Sequence, residues 1–358
     1  MRDLLLGIES SCDDTCACLM SWVDGRVIYN RSLHQDDVHR SYGGIVPNLA
    51  AEAHFRNIDL IKQDLQQHDI MRIACIACTV GPGLIGSLLV GLSFAKGLAM
   101  SLGVPLLRIN HLEGHAVSCM IDRDDITFPY LLLLASGGNS QIILAKDLGQ
   151  YRVIGQTLDD ACGEALDKIA KYLSIGYPGG VNLEKTALTA SDKHAFVFKD
   201  GGIHGHTLDF SFSGLKTQVM YKVKALGGVQ CLSEAQQANL AYAAQEAVFD
   251  TLVKKVSLTL QSDNEVMQLR RQGVLNDVVI CGGVSANKRL HQKLSAVVDG
   301  YNMRLLSPNL LWTTDNAGMI AKAGCLYWNA WKQQSRALKY NPLDLSCSPT
   351  AKWPIDCI

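Results

Sequence analysis

Short runs of apolar residues separated by polar turns open the chain. Three such runs cover residues 4–10, 15–22 and 26–33, and the pair Asp24 and Gly25 between the last two is typical of a hairpin turn. We therefore predict that the protein begins with a meander of three strands.

The pattern then alternates between helix-like and strand-like segments. Helical spacing of apolar positions predicts helices over residues 47–67 and 87–102, and short apolar runs predict buried strands over residues 73–80 and 105–109. The predicted order of this first half is βββαβαβ.

The second half repeats the same order of patterns. It predicts strands over residues 130–135, 140–145, 151–157 and 277–281, and helices over residues 160–173, 238–260 and 288–298. Two βββαβα lobes around a central cleft are the plan of the actin-like, sugar-kinase and heat-shock (Hsp70) ATPase superfamily, an α/β fold. The predicted domains are an N-terminal lobe (1–110 with 313–345), a C-terminal lobe (111–312) and a C-terminal tail (346–358).

Composition excludes several classes of protein. Of the 358 residues, 48% are hydrophobic and 19% are charged, which is typical of a folded globular chain and not of a disordered one. The 33 Lys and Arg residues balance 34 Asp and Glu residues to a net charge of -1. No global basic field would attract nucleic acid, so such binding needs a local patch or a partner.

The cysteines and the first residues indicate where the protein works. Twelve Cys are too few for a disulfide scaffold, and most lie in apolar runs, as Cys75 and Cys78 do. We predict reduced core cysteines and no zinc site at this pair. The apolar run LLLGIES is too short for a membrane span or a signal peptide, so we predict a cytoplasmic protein without membrane attachment.

Turns at the predicted strand ends could bind phosphate. They lie at residues 10–15, 135–139 and 282–283, and the glycines of the last two would let backbone N–H groups approach phosphate oxygens. An ordinary hairpin turn explains Gly137 and Gly138 equally well. The repeated positions of the turns favour a nucleotide.

A candidate metal site follows the predicted strand 105–109. His111 and His115 are four residues apart, so on a helix both imidazoles share one face, and Asp315 lies in a polar turn before an apolar helix over 319–328. Two imidazoles and one carboxylate would leave open positions on a metal. A solvated helix face or a helix cap is the alternative.

Glu113 lies between these two histidines, but the spacing does not match that of a metalloprotease. In the HExxH motif the Glu directly follows the first His. Here it lies two residues after His111, about 200° around a helix, and therefore points away from the metal face. His204 and His206, in a glycine-rich loop, are more typical of a loop than of a second metal site.

Ten motifs in order give the chain a close resemblance to the tRNA N6-adenosine threonylcarbamoyltransferase family, formerly described as O-sialoglycoprotein endopeptidases. They are GIESSCDDT, HRSYGGIVPNLAAEAH, GPGLIGSLLVG, NHLEGH, LASGGNS, GEALDKIAK, YPGG, DFSFSGLKT, CGGVSAN and TTDNAGMIA. The archaeal and eukaryotic branch has a Tyr metal ligand where this chain has Leu134, so the resemblance is to the bacterial branch. Residues 262–276 are longer and more polar than in the family and predict a surface insertion.

The resemblance implies an activity. A member of this family transfers the threonylcarbamoyl group of L-threonylcarbamoyl-AMP to N6 of adenosine 37 of tRNAs that read codons starting with A, and releases AMP. It also implies a divalent metal ion, Fe2+ or alternatively Zn2+, and partners: tRNA, a paralogous subunit of the same fold, a P-loop ATPase subunit and a separate threonylcarbamoyl-AMP synthase.

The resemblance also implies roles for single residues. The metal ligands would be His111, His115 and Asp315, and the acidic pair Asp13 and Asp14 would lie at the reaction centre. The adenylate would be bound by Leu134, Ala135, Ser136, Gly137, Gly138, Asp167, Gly180, Glu184 and Asn287. The family has Pro after YPGG, where this chain has Val181.

Ordinary structural roles remain open for two of these residues. Asn287 could be a helix N-cap, and Asp167 could be a surface charge paired with Lys171. Two other activities also remain open for the whole chain: a metal-dependent glycoprotein endopeptidase, and an ATPase or kinase of the same fold.

Overall fold

The computed structural model describes residues 2–42, 44–199, 207–334 and 337–358. The chain divides into two compact units. Unit 1 comprises Met1–Thr127, Asp147–Tyr151 and Pro308–Ile358, and unit 2 comprises Phe128–Lys146 and Arg152–Ser307. The sequence placed the lobe boundaries at residues 110 and 313 and set the tail apart, whereas the structure groups residues 111–127 and the tail with unit 1.

Unit 1 contains a five-stranded sheet in the order β3-β2-β1-β4-β5. Its strands are β1 (Leu4–Glu9), β2 (Thr15–Ser21), β3 (Val27–Leu33), β4 (Ile73–Gly81) and β5 (Leu106–Asn110). The first three are antiparallel, and β1, β4 and β5 are parallel. Each strand was predicted, with ends shifted by one residue.

Unit 2 is built on a sheet of the same plan, in the order β10-β9-β6-β7-β8. Its strands are β6 (Tyr130–Ala135), β7 (Ser140–Asp147), β8 (Gln150–Gln156), β9 (Asp277–Cys281) and β10 (Arg304–Leu306). Strand β6 is antiparallel to β7 and parallel to β9, as β1 is to β2 and β4. The predicted duplication is confirmed.

Eleven α-helices occur among the described residues. They are α1 (Asp36–His39), α2 (Pro47–Leu65), α3 (Ile85–Leu102), α4 (His111–Val117), α5 (Cys162–Tyr172), α6 (Gly179–Leu188), α7 (Ser213–Ala225), α8 (Glu234–Ser262), α9 (Asn264–Arg271), α10 (Lys288–Asp299) and α11 (Ala317–Lys332). The sequence analysis did not predict α1, α6, α7 and α9, which are 4, 10, 13 and 8 residues long.

Helix α3 is long and apolar enough to cross a membrane, the one such helix within the described ranges. Its residues Leu92, Ala95 and Ala99 are buried in the core of unit 1, and it packs on β4 and α2. Core helices of soluble proteins have the same composition, so α3 alone is weak evidence of a span.

The cysteines agree with the prediction. Cys75 and Cys78 are free thiols, fully buried in β4, and burial raises the pKa of both. They are core residues.

The segment at residues 262–276 lies largely at the surface, as the sequence predicts. Most of it forms α9, whose Val266 is fully buried, and Leu275 after the helix is also buried in the core of unit 2. The other residues of the segment are exposed or partly exposed, so these two side chains anchor a surface segment to the core of unit 2.

The parallel strands of each unit place their following turns at one sheet edge. In unit 1, β1, β4 and β5 run in the same direction, and in unit 2 so do β6 and β9. Ligands of open α/β sheets bind at the carboxyl ends of the strands. Among the candidate site residues, Asp13 and Asp14 follow β1, His111 follows β5, and Gly137 and Gly138 follow β6.

Candidate metal centre and substrate-binding turns

Helix α4 starts directly at the end of β5. Asn110, the last residue of the strand, caps the helix: its side-chain oxygen accepts hydrogen bonds from Leu112 N at 2.8 Å and Glu113 N at 3.4 Å. The cap fixes the first turn, so His111 and His115 project from adjacent turns of the same helix.

The two histidines meet Asp315, which lies two residues before α11. The distance from Asp315 Oδ1 is 3.1 Å to His115 Nε2 and 3.6 Å to His111 Nε2. Their candidate ligand atoms lie within 4.8 Å of one another. The predicted helix-face geometry is present, and the three residues offer one compact set of metal ligands.

A buried carboxylate that the sequence did not single out orients the first histidine. Glu9, at the end of β1, is 1% exposed, and its Oε2 lies 3.1 Å from His111 Nδ1. The same oxygen accepts from the Thr79 hydroxyl, and Oε1 accepts from Ser11 N, both at 2.5 Å. Ser11 Oγ also lies 3.0 Å from His111 Nδ1. Held through Nδ1, the imidazole presents Nε2 towards Asp315.

The electrostatics of this cluster favour a cation. Burial opposes a charge on His111, but the carboxylates of Asp315 and Glu9 raise its pKa to about 9. Burial likewise opposes a charge on Asp315, while His111 and His115 hold its pKa far below the ordinary value. A divalent ion could take the place of the His111 proton. Nitrogen and oxygen donors of this kind suit Fe2+ and Zn2+, so the residues present fit a metal.

Glu113 points elsewhere, as predicted. Its Oε1 accepts hydrogen bonds from Gly149 N at 2.9 Å and from the hydroxyls of Tyr151 and Tyr327, each at 3.0 Å. A carboxylate held in this way is part of the support of α4. It does not have the position of a metalloprotease base.

The acidic pair lies in the turn after β1. Asp14 Oδ1 is 2.9 Å from His34 Nδ1, and His54 supports the turn through Thr15 Oγ1 at 2.7 Å. Burial raises the pKa of Asp14 to about 6 and also raises that of Asp13. A carboxylate with a pKa near neutrality is suited to accept a proton.

Replacing Asp14 with Asn is expected to stabilise the protein at pH 8 by up to about 3 kcal/mol. The raised pKa means that the folded state favours protonated Asp14. The stability that protonated Asp14 contributes is therefore fully present below about pH 4 and is lost as the pH rises through 6. The two proteins should be equally stable at pH 4. Urea unfolding at both pH values checks this, and a variant that is no more stable than wild type at pH 8 contradicts it.

In unit 2 the turn after β6 is open above its two glycines. A Cβ on Gly137 or Gly138 would meet no atom within 4 Å, and neither residue has a φ in the left-handed region. The turn is closed by Ser136 N, which donates to Asn139 O at 2.8 Å. Neither backbone conformation nor crowding by neighbouring atoms requires glycine at these two positions. Their glycines leave the main chain accessible, so a ligand could approach its backbone groups closely.

The start of the predicted segment 134–138 is less accessible. Leu134 and Ala135 are fully buried in β6. Their side chains belong to the core, so a ligand could meet only their main chain, and the exposed part of the segment begins at Ser136.

Asp167 does not act as the surface partner of Lys171. Its carboxylate accepts a hydrogen bond from Gly180 N at 3.0 Å, in the first turn of α6, and burial raises its pKa. A Cβ on Gly179 would lie 2.7 Å from Asp167 Oδ1, so the close approach requires glycine. The structure therefore brings Asp167 and Gly180 together.

Glu184 and Asn287 both accept hydrogen bonds from the first turn of α10. Asn287 is the N-cap, accepting from Arg289 N at 2.9 Å and Leu290 N at 3.2 Å, and Glu184 accepts from Lys288 N at 3.0 Å. The N-cap alternative for Asn287 is thus confirmed. Its amide nitrogen donates to Gln245 Oε1 at 3.1 Å.

Similarity to known proteins shows the family of this chain. The family model of tRNA N6-adenosine threonylcarbamoyltransferase matches residues 26–322. This chain belongs to the tRNA N6-adenosine threonylcarbamoyltransferase family. Proteins of that name from Thermosipho africanus and Acidovorax sp. are 39% and 38% identical to it. These alignments cover 90% and 100% of this chain and 93% and 99% of the relatives.

Solved structures agree on the fold. Full-length HypF, in its phosphate- and nucleotide-bound form, aligns with a TM-score of 0.53 at 12% identity, and HypF from T. kodakarensis aligns with 0.59 at 15%. Each alignment covers 92% of this chain, which spans about half of either HypF chain. At such low sequence identities, structural similarity shows a shared fold and no shared function. Together with the duplicated sheets, they confirm the predicted fold class.

The sequence did not indicate that Glu9 and Thr79 belong to the candidate metal centre of this threonylcarbamoyltransferase family member. Both are polar residues near the carboxyl end of an apolar strand, a signal that could have found them. His204 and His206 lie outside the described residues.

Proposed function

We propose that this protein transfers the threonylcarbamoyl group of L-threonylcarbamoyl-AMP to N6 of adenosine 37 of tRNA and releases AMP. The tRNAs are those that read codons starting with A. Family membership over residues 26–322 supports the reaction, and the single structural observation that carries it is the cluster of His111, His115 and Asp315.

The chemistry needs what this cluster could supply. The exocyclic amine of adenine is a poor nucleophile, so the carbamoyl carbon must be activated. A divalent ion held by His111, His115 and Asp315 would supply a Lewis acid with open positions. We infer Fe2+, with Zn2+ as the alternative, because both accept two imidazoles and a carboxylate.

The proton of the amine needs an acceptor. Asp14, with a pKa of about 6, is ionised at neutral pH and can still take up a proton, and Asp13 beside it is also shifted upwards. We assign the role of general base to this pair.

The adenylate is assigned to unit 2. The open turn at Ser136, Gly137 and Gly138 offers backbone groups for the phosphate or its acyl substituent. Asp167 and Asn287 hold the first turns of α6 and α10, whose N-termini favour negative charge. Gly180 has no atom within 4 Å of a would-be Cβ, so a ligand can approach there as well.

Replacing Asn287 or Asp167 with Ala is expected to weaken adenylate binding by about tenfold, the worth of one or two hydrogen bonds. Loss of the Asn287 cap should also lower the free energy of unfolding by about 1 kcal/mol. Calorimetric titration with a non-hydrolysable adenylate analogue measures the first effect.

A matched control separates binding from stability. Ser233 caps α8 with a capping box, so Ser233→Ala should cost a similar free energy of unfolding without weakening adenylate binding. Wild-type affinity in both the Asn287 and the Asp167 variants would contradict their assignment to the adenylate.

The partners are proposals as well. We infer a paralogous subunit of the same fold, a P-loop ATPase and a separate threonylcarbamoyl-AMP synthase, all in the cytoplasm. Exposed apolar side chains on α2 and α3 support a protein partner: Phe55 is 71% exposed and Leu89 is 51% exposed. A net charge of -1 gives the chain little electrostatic attraction to tRNA, so we infer that such partners contribute to tRNA binding.

Reconstitution tests this function against the alternatives. The protein is incubated with threonine, bicarbonate, ATP, tRNA, the synthase and candidate partners, and tRNA nucleosides are analysed by mass spectrometry. We expect threonylcarbamoyladenosine that requires the protein. Release of peptides without nucleotide would support the endopeptidase alternative, and ATP turnover by the isolated chain without tRNA would support the ATPase or kinase.

A further inference from the structure

The last part of the chain, residues 337–358, is an irregular segment that we call the C-terminal segment. It pairs with the rest of unit 1 through main-chain hydrogen bonds: Leu106 N donates to Pro342 O at 2.8 Å, and Thr350 N donates to Val80 O at 2.8 Å. Ile355, near its end, is 1% exposed. The segment is therefore packed against β4 and the edge strand β5.

One contact joins the C-terminal segment to the helix that carries both histidines. Asn110 Nδ2 donates a hydrogen bond to Trp353 O at 2.9 Å. Asn110 is fully buried, and its oxygen caps α4. Because an amide has one donating and one accepting end, holding the nitrogen on Trp353 O turns the oxygen towards the helix.

A second contact joins the C-terminal segment to the turn that packs on Ser11, the residue whose hydroxyl contacts His111. Gly83 N donates to Ala351 O at 3.2 Å, and a Cβ on Gly83 would lie 2.4 Å from Ser11 O. The turn that contacts the C-terminal segment is thus packed on Ser11, whose hydroxyl contacts His111. A Cβ on Gly81 would lie 2.2 Å from Thr350 O, so glycine is needed for this packing.

We propose that the C-terminal segment positions the metal centre, with Asn110 as the positioning residue. The Trp353 carbonyl holds the Asn110 amide, the amide sets the first turn of α4, and that turn aims both imidazoles at Asp315. The proposal rests on the metal centre of the proposed function.

The test measures Co2+ binding to the full chain, since visible absorption reports both affinity and ligand geometry. Asn110→Ser keeps a capping oxygen, but its shorter side chain lacks the amide nitrogen that donates to Trp353 O. We expect its Co2+ affinity to fall 10- to 100-fold, with an altered spectrum. The matched control Ser233→Ala, which removes the cap of α8 in unit 2, should bind Co2+ like wild type.

A second variant tests the same contact through a substitution in the C-terminal segment. Ile355→Ala removes a buried anchor of the C-terminal segment and should weaken Co2+ binding in the same direction. Wild-type affinity and spectrum in Asn110→Ser would overturn the proposal, provided that His111→Ala has lost Co2+. If wild type and His111→Ala bind Co2+ alike, the metal centre itself is rejected and the positioning role with it.

Discussion

The His111→Ala protein is expected to lose its bound metal and its tRNA modification activity while remaining folded. His111 supplies one of three candidate ligands, and its Nε2 lies 3.6 Å from Asp315 Oδ1. Loss of an outer-shell partner already costs 10- to 100-fold in metal affinity, so loss of a ligand should cost at least about 100-fold. Elemental analysis of the purified protein measures the metal, and nucleoside mass spectrometry measures the activity.

His34 offers a matched control for this substitution. Its side chain is 58% exposed and pairs with Asp14, outside the candidate ligand set. His34→Ala should keep a full complement of metal. Full metal content in His111→Ala would remove this residue from the ligand set.

The second large effect is expected for Glu9→Gln. The Glu9 carboxylate accepts from Ser11 N, from the Thr79 hydroxyl and from His111, so an amide in its place must turn its NH2 group against one of these donors. The change also removes a buried negative charge beside the proposed cation. We expect metal affinity to fall by about 10- to 100-fold.

An exposed carboxylate provides the control for Glu9. Glu52, on α2, is 62% exposed and pairs with Arg56, so Glu52→Gln should leave metal affinity unchanged. Competition with a chelator of known affinity compares the three proteins. Equal affinities for wild type and Glu9→Gln would show that the carboxylate does not support the metal.

Local patterns predicted much of this molecule. The strands of both sheets have sharp apolar runs, and Tyr130–Ala135 and Asp277–Cys281 lie at their predicted bounds. The spacing of His111 and His115 follows from helical geometry alone. Asp315 is distant in sequence, and the polar turn before an apolar helix pointed to it.

Other parts depend on contacts that local patterns do not contain. Glu9 meets His111 across 102 positions, and Thr79 meets Glu9 across 70, so neither contact has a periodic signature. The C-terminal segment is held on the rest of unit 1 in part through main-chain hydrogen bonds, which do not depend on residue type. Asp167 was assigned by resemblance, and its contact with Gly180 depends on the fold.

Transfer from the preformed adenylate tests the central claim most directly. Metal-loaded protein, metal-stripped protein and the His111→Ala variant are each mixed with L-threonylcarbamoyl-AMP, tRNA and the proposed partners, and threonylcarbamoyladenosine and AMP are quantified together. We expect equal amounts of both products from the metal-loaded protein alone. Modified tRNA formed at the same rate by the stripped protein or by His111→Ala would contradict a metal-assisted transfer at this site.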